Sequence, residues 1–270
     1  MESNVIFGMY SGLALLMDVY SPQETNGYGI VFISGSGWSA PMSLDATPLK
    51  NSGQATMYAP PLNEAGYTVF SINHRAVPRF LYPAAVEDAQ RAVRFVRHHA
   101  AEYDIDPERI GAMGGSSGGH LVSMLGVLDG AGDPESADPV ERESAKVQCV
   151  VARAPRTDFF QRDGFSPFLG MGNPGRDEVG TVEHRTYTAA SPVSHVSAGN
   201  PPFLFLHGDA DEVVPLAQSE VMVEALQEAG VPTELLVVPG AGHGPHFPGA
   251  EDPPDYMGAM VRWFDRYLRA

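Results

Sequence analysis

Residues 113–120 read Met-Gly-Gly-Ser-Ser-Gly-Gly-His, between a predicted strand that ends at Met113 and a predicted helix that begins near Ser117. A Gly-x-Ser-x-Gly pattern at such a junction is typical of a nucleophile elbow, a turn too tight for side chains beside the serine. The N-terminus of the following helix favours negative charge on the reacting oxygen. The pattern fits with either Ser116 or Ser117 as the nucleophile. We favour Ser116, because Ser117 then supplies the backbone N–H that follows the nucleophile.

Strand-like and helix-like segments alternate around this motif, which indicates a parallel sheet covered on both faces. The predicted strands are an opening hairpin, Val5–Tyr10 with Leu13–Tyr20, followed by Gly29–Ser34, Tyr67–Ile72, Arg109–Met113, Val147–Arg153, Phe203–His207 and Glu234–Val238. Apolar residues at three- and four-residue steps predict helices over Pro83–Tyr103, Leu216–Ala229 and Asp255–Leu268. The sequence therefore predicts an α/β fold with a mostly parallel, eight-stranded twisted sheet.

Residues 157–200 interrupt this alternation. The segment is rich in Gly, Pro, Ser and charged residues and shows little sustained periodicity. Because it follows one predicted strand and precedes the next, we expect an insertion over the carboxyl edge of the sheet. We interpret it as a small lid within a single domain that spans residues 1–270. Long, irregular connections are common places for substrate selection.

An acid and a base follow the elbow in the chain order that the motif predicts, serine, then acid, then histidine. Asp209 and Asp211 lie in the turn after a predicted strand, where a carboxylate can hold the useful tautomer of a histidine. We favour Asp211 and keep Asp209 as the alternative. His243 lies between two glycines after the next strand and is the predicted general base. His246 is nearby but lacks that setting.

These motifs together resemble the esterase/lipase branch of the α/β hydrolases, which includes the hormone-sensitive-lipase-like carboxylesterases. The chain is more similar still to the compact acetylxylan and feruloyl esterase-like proteins of BD-FAE type. The matching features are Asp18-Val19-Tyr20, the loop Ser34-Gly35-Ser36-Gly37-Trp38, Asn73-His74-Arg75, Tyr82-Pro83-Ala84-Ala85 with Asp88, Asp106-Pro107-Glu108-Arg109-Ile110, the elbow, His207-Gly208 with Asp211, and Gly242-His243-Gly244. The resemblance implies an α/β-hydrolase fold and a Ser116, His243 and Asp211 triad, and only residues 157–200 lie outside it.

The loop that ends at Trp38 departs from the family pattern, which usually reads His-Gly-Gly-Gly-Trp. Ser34 and Ser36 stand in place of the histidine and the middle glycine. By position, the resemblance implies that Ser36 and Gly37 donate backbone N–H groups to a developing oxyanion, with Ser117 as the third donor. Trp38 is a candidate wall of the substrate pocket, and core packing is an equal alternative for so large an aromatic side chain.

The resemblance implies a serine carboxylesterase for short-chain acyl esters that acts through an acyl-enzyme. Acetyl or feruloyl esters on carbohydrate are the candidate substrates. One alternative is an amide or peptide hydrolase of the formamidase or prolyl-oligopeptidase kind. A non-catalytic binding protein with the same fold is a second alternative. We expect neither a metal nor an organic cofactor, since the implied acyl transfer requires none.

Composition bears on partners and compartment. A formal net charge of −16 argues against nucleic acid as a partner. Cys149 is the only cysteine, which excludes an intramolecular disulfide and a cysteine-built metal site. No stretch is apolar for long enough to predict a membrane span, and Met1–Tyr10 does not read as a signal peptide. We therefore expect a cytoplasmic enzyme with a small-molecule or carbohydrate ester as substrate; export and a homodimer both stay open.

Overall fold

The computed structural model describes residues 1–269 and contains one large sheet. Its strands are β1 (Glu2–Tyr10), β2 (Leu13–Tyr20), β3 (Gly29–Ile33), β4 (Thr68–Ile72), β5 (Ile110–Gly115), β6 (Cys149–Arg153), β9 (Phe203–Gly208) and β10 (Thr233–Val238), while β7 (Phe165–Ser166) and β8 (Met171–Gly172) form a separate ribbon. The order across the large sheet is β1-β2-β4-β3-β5-β6-β9-β10. Only β2 runs antiparallel to its neighbours, which confirms the predicted, mostly parallel sheet of eight strands.

Helices cover both faces of this sheet. They are α1 (Gln54–Glu64), α2 (Ala84–His98), α3 (Ser117–Val127), α4 (Val182–Ala190), α5 (Ala217–Glu228) and α6 (Tyr256–Leu268). α1 and α6 pack on one face, and α2, α3 and α5 pack on the other. Each face of the sheet has its own core, and alternate residues of β3 point into different ones. Ile30 and Phe32 belong to the core beneath α1 and α6, whereas Val31 and Ile33 belong to the core beneath α2, α3 and α5. Burial on both faces explains why the central strands read as continuous apolar runs.

Two helices were not predicted from the sequence. α1 contains Pro60 and Pro61, which lack backbone N–H groups and normally end a helix. Burial of Tyr58, Ala59 and Leu62 against the sheet stabilises it instead. α4 lies within the segment that we expected to be irregular. The predicted helix over residues 83–103 ends as an α-helix at His98, and a short 3₁₀ turn follows it.

Residues 157–200 form a small structured insertion. It contains the β7–β8 ribbon, α4 and two 3₁₀ turns, Phe159–Gln161 and Pro192–His195. The N-cap of α4 is Thr181, whose hydroxyl accepts a hydrogen bond from the His184 N–H at 3.1 Å. The insertion joins β6 to β9, two neighbouring parallel strands, so it begins at the carboxyl edge of the sheet. Its role as a lid stays a prediction.

Within residues 1–269, every helix falls short of the length and apolar character that a membrane span needs.

Candidate active site

Ser116 lies at the junction of β5 and α3, in a backbone conformation that few non-glycine residues adopt. Its φ is 55° and its ψ is −121°. Its N–H donates to the carbonyl oxygen of Arg153 at 2.8 Å, which ties the turn to β6. A Cβ on Gly118 would lie 2.0 Å from the Ile33 carbonyl oxygen, and one on Gly114 would lie 2.5 Å from the Gly118 carbonyl oxygen. The glycines around the serine are therefore required by backbone crowding.

Gly118→Ala tests this crowding. We expect the variant to lower the free energy of unfolding by about 3 kcal/mol, because the new methyl group must displace the backbone of β3 or of the elbow. Gly172→Ala is the matched control, since a Cβ there meets no atom within 4 Å. Denaturant unfolding of both variants compares the two sites. Equal stabilities would contradict the packing described here.

The structure brings Ser116, His243 and Asp211 into one chain of hydrogen bonds. The Nε2 atom of His243 lies 2.9 Å from Ser116 Oγ. The Nδ1 atom of the same ring lies 2.6 Å from Asp211 Oδ2. An imidazole that carries its proton on Nδ1 fits both contacts, because it donates to the carboxylate and accepts from the serine. This arrangement can activate the serine hydroxyl as a nucleophile.

The alternative residues for the triad have other contacts. Ser117 Oγ accepts the Ser36 N–H at 2.8 Å, although Ser117 is adjacent to the elbow serine. Asp209 Oδ1 accepts the Gly240 N–H at 2.7 Å and so ties the turn after β9 to the loop that carries the histidine. Within the described residues, His246 makes no hydrogen bond to a carboxylate or to a serine.

The environment of Asp211 favours its ionised form. The carboxylate is buried, and burial by itself would raise its pKa. Contacts with His207 and His243 and the N–H of Val214 outweigh burial and hold the pKa well below the usual value for an aspartate. Oδ1 accepts the N–H groups of Val213 and Val214 at 3.0 and 2.8 Å. The carboxylate therefore stays negative at neutral pH and can stabilise a positively charged imidazole.

Two buried side chains that sequence reasoning missed hold the loop after His243. The Arg153 guanidinium donates to the Gly244 carbonyl oxygen at 2.9 Å. The Tyr58 hydroxyl donates to the Pro245 carbonyl oxygen at 2.8 Å. Arg153 ends an otherwise apolar buried strand, and that break in composition was the available signal. Both contacts restrict the backbone from which the imidazole reaches the serine.

The loop after β3 approaches the elbow closely. A Cβ on Gly35 would lie 2.6 Å from the Gly115 carbonyl oxygen. Gly37 has a φ of +65°, which suits glycine. The Ser36 N–H donates to Ser117 Oγ, although the family resemblance implied that it would face an oxyanion. The N–H groups of Gly37 and Ser117 have no acceptor among residues 1–269, so these two remain available to a bound oxygen.

Ser34 and Ser36 are the two positions at which this loop departs from the family pattern. Both Oγ atoms are buried, and neither has a hydrogen-bond partner within residues 1–269. Serine at these positions therefore adds polar atoms to the interior of the loop without adding contacts. The histidine that the family usually has at position 34 is replaced by a side chain that holds nothing in place.

Trp38 packs in the protein interior and also lines a cavity, and its role as a wall of the substrate pocket stays a prediction. Its Nε1 donates to Nδ1 of His120 at 3.0 Å, and its ring stacks on Phe168 at a centroid distance of 4.5 Å. Burial lowers the pKa of His120 to about 3, so the acceptor is a neutral ring. A cavity of about 170 Å³ lies beside the loop, lined by Gly37, Trp38, Arg156, Phe159, Arg162, Asp163, Gly164, Phe165, Ser166, Pro167, Phe168 and Tyr187.

Comparison with known proteins relates this geometry to a family. A profile of the BD-FAE family matches residues 17–226. The probable carboxylic ester hydrolase LipM of Mycobacterium tuberculosis is 31% identical over 84% of this chain and 52% of its own length. The acetylxylan esterase of Xylanibacter ruminicola is 25% identical over 84% of this chain and 43% of its own length. The chain thus spans about half the length of the curated relatives it matches.

A solved structure covers nearly the whole chain. It is a truncated form of a carbohydrate esterase from gut microbiota, with a TM-score of 0.80 and 30% sequence identity. The alignment covers 99% of this chain and 96% of that one. The fold of the chain is therefore that of the α/β-hydrolase esterases.

Proposed function

The chain belongs to the BD-FAE family, and on this premise we propose that it is a serine carboxylesterase that hydrolyses short-chain acyl esters. The observation that carries the proposal is the hydrogen-bonded chain from Asp211 through His243 to Ser116. Such a chain supports acyl transfer because it supplies a nucleophile, a base and a group that orients the base.

The first half of the reaction forms an acyl-enzyme. His243 Nε2 takes the proton of Ser116 Oγ as that oxygen attacks the ester carbonyl carbon. The backbone N–H groups of Gly37 and Ser117 stabilise the negative oxygen of the tetrahedral intermediate, and each donor lowers the barrier by about 3 kcal/mol. When the intermediate collapses, the imidazolium gives its proton to the leaving alcohol. Asp211 stabilises the imidazolium while it carries that proton.

The second half releases the acid and restores the enzyme. His243 takes a proton from water, and the resulting hydroxide attacks the acyl carbonyl carbon. The second tetrahedral intermediate is stabilised by the same two N–H groups. Its collapse breaks the bond to Ser116 Oγ, and His243 returns the proton to that oxygen. The carboxylic acid then leaves, and the net reaction consumes one water per ester.

The cavity beside residues 34–38, which we call the oxyanion loop, supports a short acyl group. Its volume of about 170 Å³ is below the range of roughly 300–1,000 Å³ that is common for drug-sized ligands. The stacked rings of Trp38 and Phe168 form one of its walls, and its small volume leaves little room for a long chain. The relatives named as acetylxylan esterase and carbohydrate esterase favour a carbohydrate hydroxyl as the alcohol of the ester.

A panel of 4-nitrophenyl esters from acetate to palmitate tests the proposal, with acetylated xylan and a feruloylated oligosaccharide as carbohydrate substrates. We expect kcat/KM for acetate and butyrate to exceed that for palmitate by about tenfold or more, because the cavity wall excludes the longer chain. 4-Nitroacetanilide serves as the amide control. Faster turnover of the anilide than of the acetate ester would favour an amide hydrolase, and no turnover of any ester would sink the proposal.

A further inference from the structure

Arg156 is a buried arginine that the proposed reaction does not use. It follows β6 by three residues and is 7% exposed. Within residues 1–269 its guanidinium makes neither a hydrogen bond nor an ion pair, and its nearest ring is Phe159, whose centroid is 5.8 Å from Cζ. Buried charges are ordinarily paired, because an ion that leaves water loses its hydration. The Arg156 guanidinium is therefore free to pair with an anion that enters from solvent.

The surroundings of Arg156 act against its positive charge without removing it. Burial, followed by the positive charge of Arg162, lowers the pKa of Arg156, and the carboxylate of Asp158 acts in the opposite direction. Asp158 is already engaged, because it pairs with Arg176 and accepts the Phe160 N–H. An arginine side chain keeps its proton despite such a shift. A fixed positive charge therefore lies in a protein of net charge −16.

Arg156 lines the cavity beside the oxyanion loop. The other charged residues that line this cavity are Arg162 and Asp163, and both are exposed. The stacked aromatic rings of Trp38 and Phe168 also line this cavity and form one wall. Arg156 and Arg162 also border an open depression of about 360 Å³ beside the turn of Asp211, where Glu212 contributes a carboxylate. The cavity thus combines an apolar wall with one buried cation.

The position of the cavity assigns it to the acyl half of the ester. The leaving alcohol must lie beside His243, because that ring protonates it. Neither the histidine loop, 239–247, nor the elbow residues Ser116 and Ser117 line the cavity. The loop of Gly37 lines it instead, and the same loop contacts the elbow through Gly35. An acyl group that extends from the carbonyl carbon away from the histidine and past Gly37 would reach this space with its far end.

We propose that the acyl group carries a terminal carboxylate that binds Arg156, so that the preferred substrate is a half-ester of a dicarboxylic acid. This inference rests on the proposed esterase function and specifies the substrate class of the same site. A carboxylate matches the planar fork of a guanidinium and can accept two parallel hydrogen bonds from it. The aromatic wall contacts the short apolar spacer between the two carbonyl carbons.

The experiment compares monomethyl adipate with methyl hexanoate, two methyl esters of equal chain length that differ in the terminal carboxylate. Methanol release at constant ionic strength gives kcat/KM for each. We expect the wild-type protein to prefer the half-ester by about tenfold or more, as for a hydrogen-bonded ion pair. In Arg156→Met this ratio falls to one or below, because the remaining negative charge of the protein repels the anion. Arg156→Lys keeps part of the preference, since it keeps the charge and loses the fork.

Arg162→Met is the matched control, because it removes an exposed arginine from the same cavity. It keeps the ratio of the wild-type protein within about threefold, since exposed charges interact weakly. A ratio that collapses in this control and not in Arg156→Met overturns the assignment.

A second pair of substrates tests a carboxylate on the leaving group instead of on the acyl group. 4-Acetoxybenzoate and methyl 4-acetoxybenzoate have the same acetyl group, and we expect no preference between them that depends on Arg156. A preference confined to this pair overturns the acyl assignment. If the wild-type protein cleaves the neutral esters and shows no preference for either anion, this inference fails and the esterase proposal stands. If it cleaves no ester at all, the esterase proposal fails, and the inference fails with it.

Discussion

Ser116→Ala is expected to lower kcat for ester hydrolysis by about a million-fold, the scale seen when a serine nucleophile is removed. Only the Oγ atom is lost, and that atom is 2.9 Å from His243 Nε2 in the structure. Alanine carries the same Cβ as serine, so it tolerates the φ of 55° no worse. The thermal unfolding midpoint should therefore stay close to that of the wild-type protein. 4-Nitrophenyl acetate hydrolysis and a thermal melt measure the two quantities.

Ser117→Ala is the control that separates the two registers of the elbow. Its hydroxyl accepts the Ser36 N–H, so its loss leaves that N–H without an acceptor and loosens the oxyanion loop. We expect a loss of kcat of at most about tenfold, on the scale of one neutral hydrogen bond. A serine-directed phosphonate should add its mass to wild-type protein and to Ser117→Ala but not to Ser116→Ala. Labelling of Ser116→Ala would assign the nucleophile to Ser117.

Asp211→Asn is expected to lower kcat by about ten-thousand-fold, as the corresponding change does in serine proteases. The carboxylate lies 2.6 Å from His243 Nδ1, and its Oδ1 accepts two backbone N–H groups. In the variant, the amide oxygen takes over those N–H groups and the amide NH₂ faces Nδ1. The imidazole must then carry its proton on Nε2, where it cannot accept the proton of the serine.

Asp209→Asn is the matched control for this change. Asp209 Oδ1 accepts the Gly240 N–H, and an asparagine oxygen can accept the same bond. We expect the control to keep most of the wild-type kcat and to lose only part of the stability of the loop. Comparable losses in the two variants would mean that the loop anchor, and not charge on Asp211, supports catalysis.

The fold was predictable from the sequence wherever burial leaves a periodic pattern. Strands with both faces covered appear as short apolar runs, and α2 and α6 show an apolar stripe because one side of each faces the sheet. α1 shows neither signal clearly, since Pro60 and Pro61 interrupt its sequence. Its stability comes from contacts with the sheet, and a local window of sequence does not contain those contacts.

In the candidate site, too, the residues in short local motifs were predictable, and the residues whose contacts lie far away in the chain were not. The elbow, the acid turn and the histidine loop are short segments, and their turns impose residue types that can be read directly, such as the glycines that flank Ser116. Tyr58 and Arg156 were missed because nothing in their local sequence marks a role in the site. Arg153 does stand out, as a charged residue at the end of an apolar strand, but that signal does not identify the loop that it holds. The partner of the Tyr58 hydroxyl, for example, lies 187 residues away in the chain.

The amino-acid sequence by itself determined the α/β class, the order of the strands along the chain and the short list of residues from which a triad could be built. Local backbone sterics and hydrophobic periodicity act within a few residues, so a linear sequence retains them. Only the tertiary structure decided which of Ser116 or Ser117, and which of Asp209 or Asp211, lies within hydrogen-bonding distance of His243. Only the tertiary structure, too, shows that Arg156 forms no ion pair within residues 1–269, because charge pairing depends on distances in space that spacing along the chain does not set.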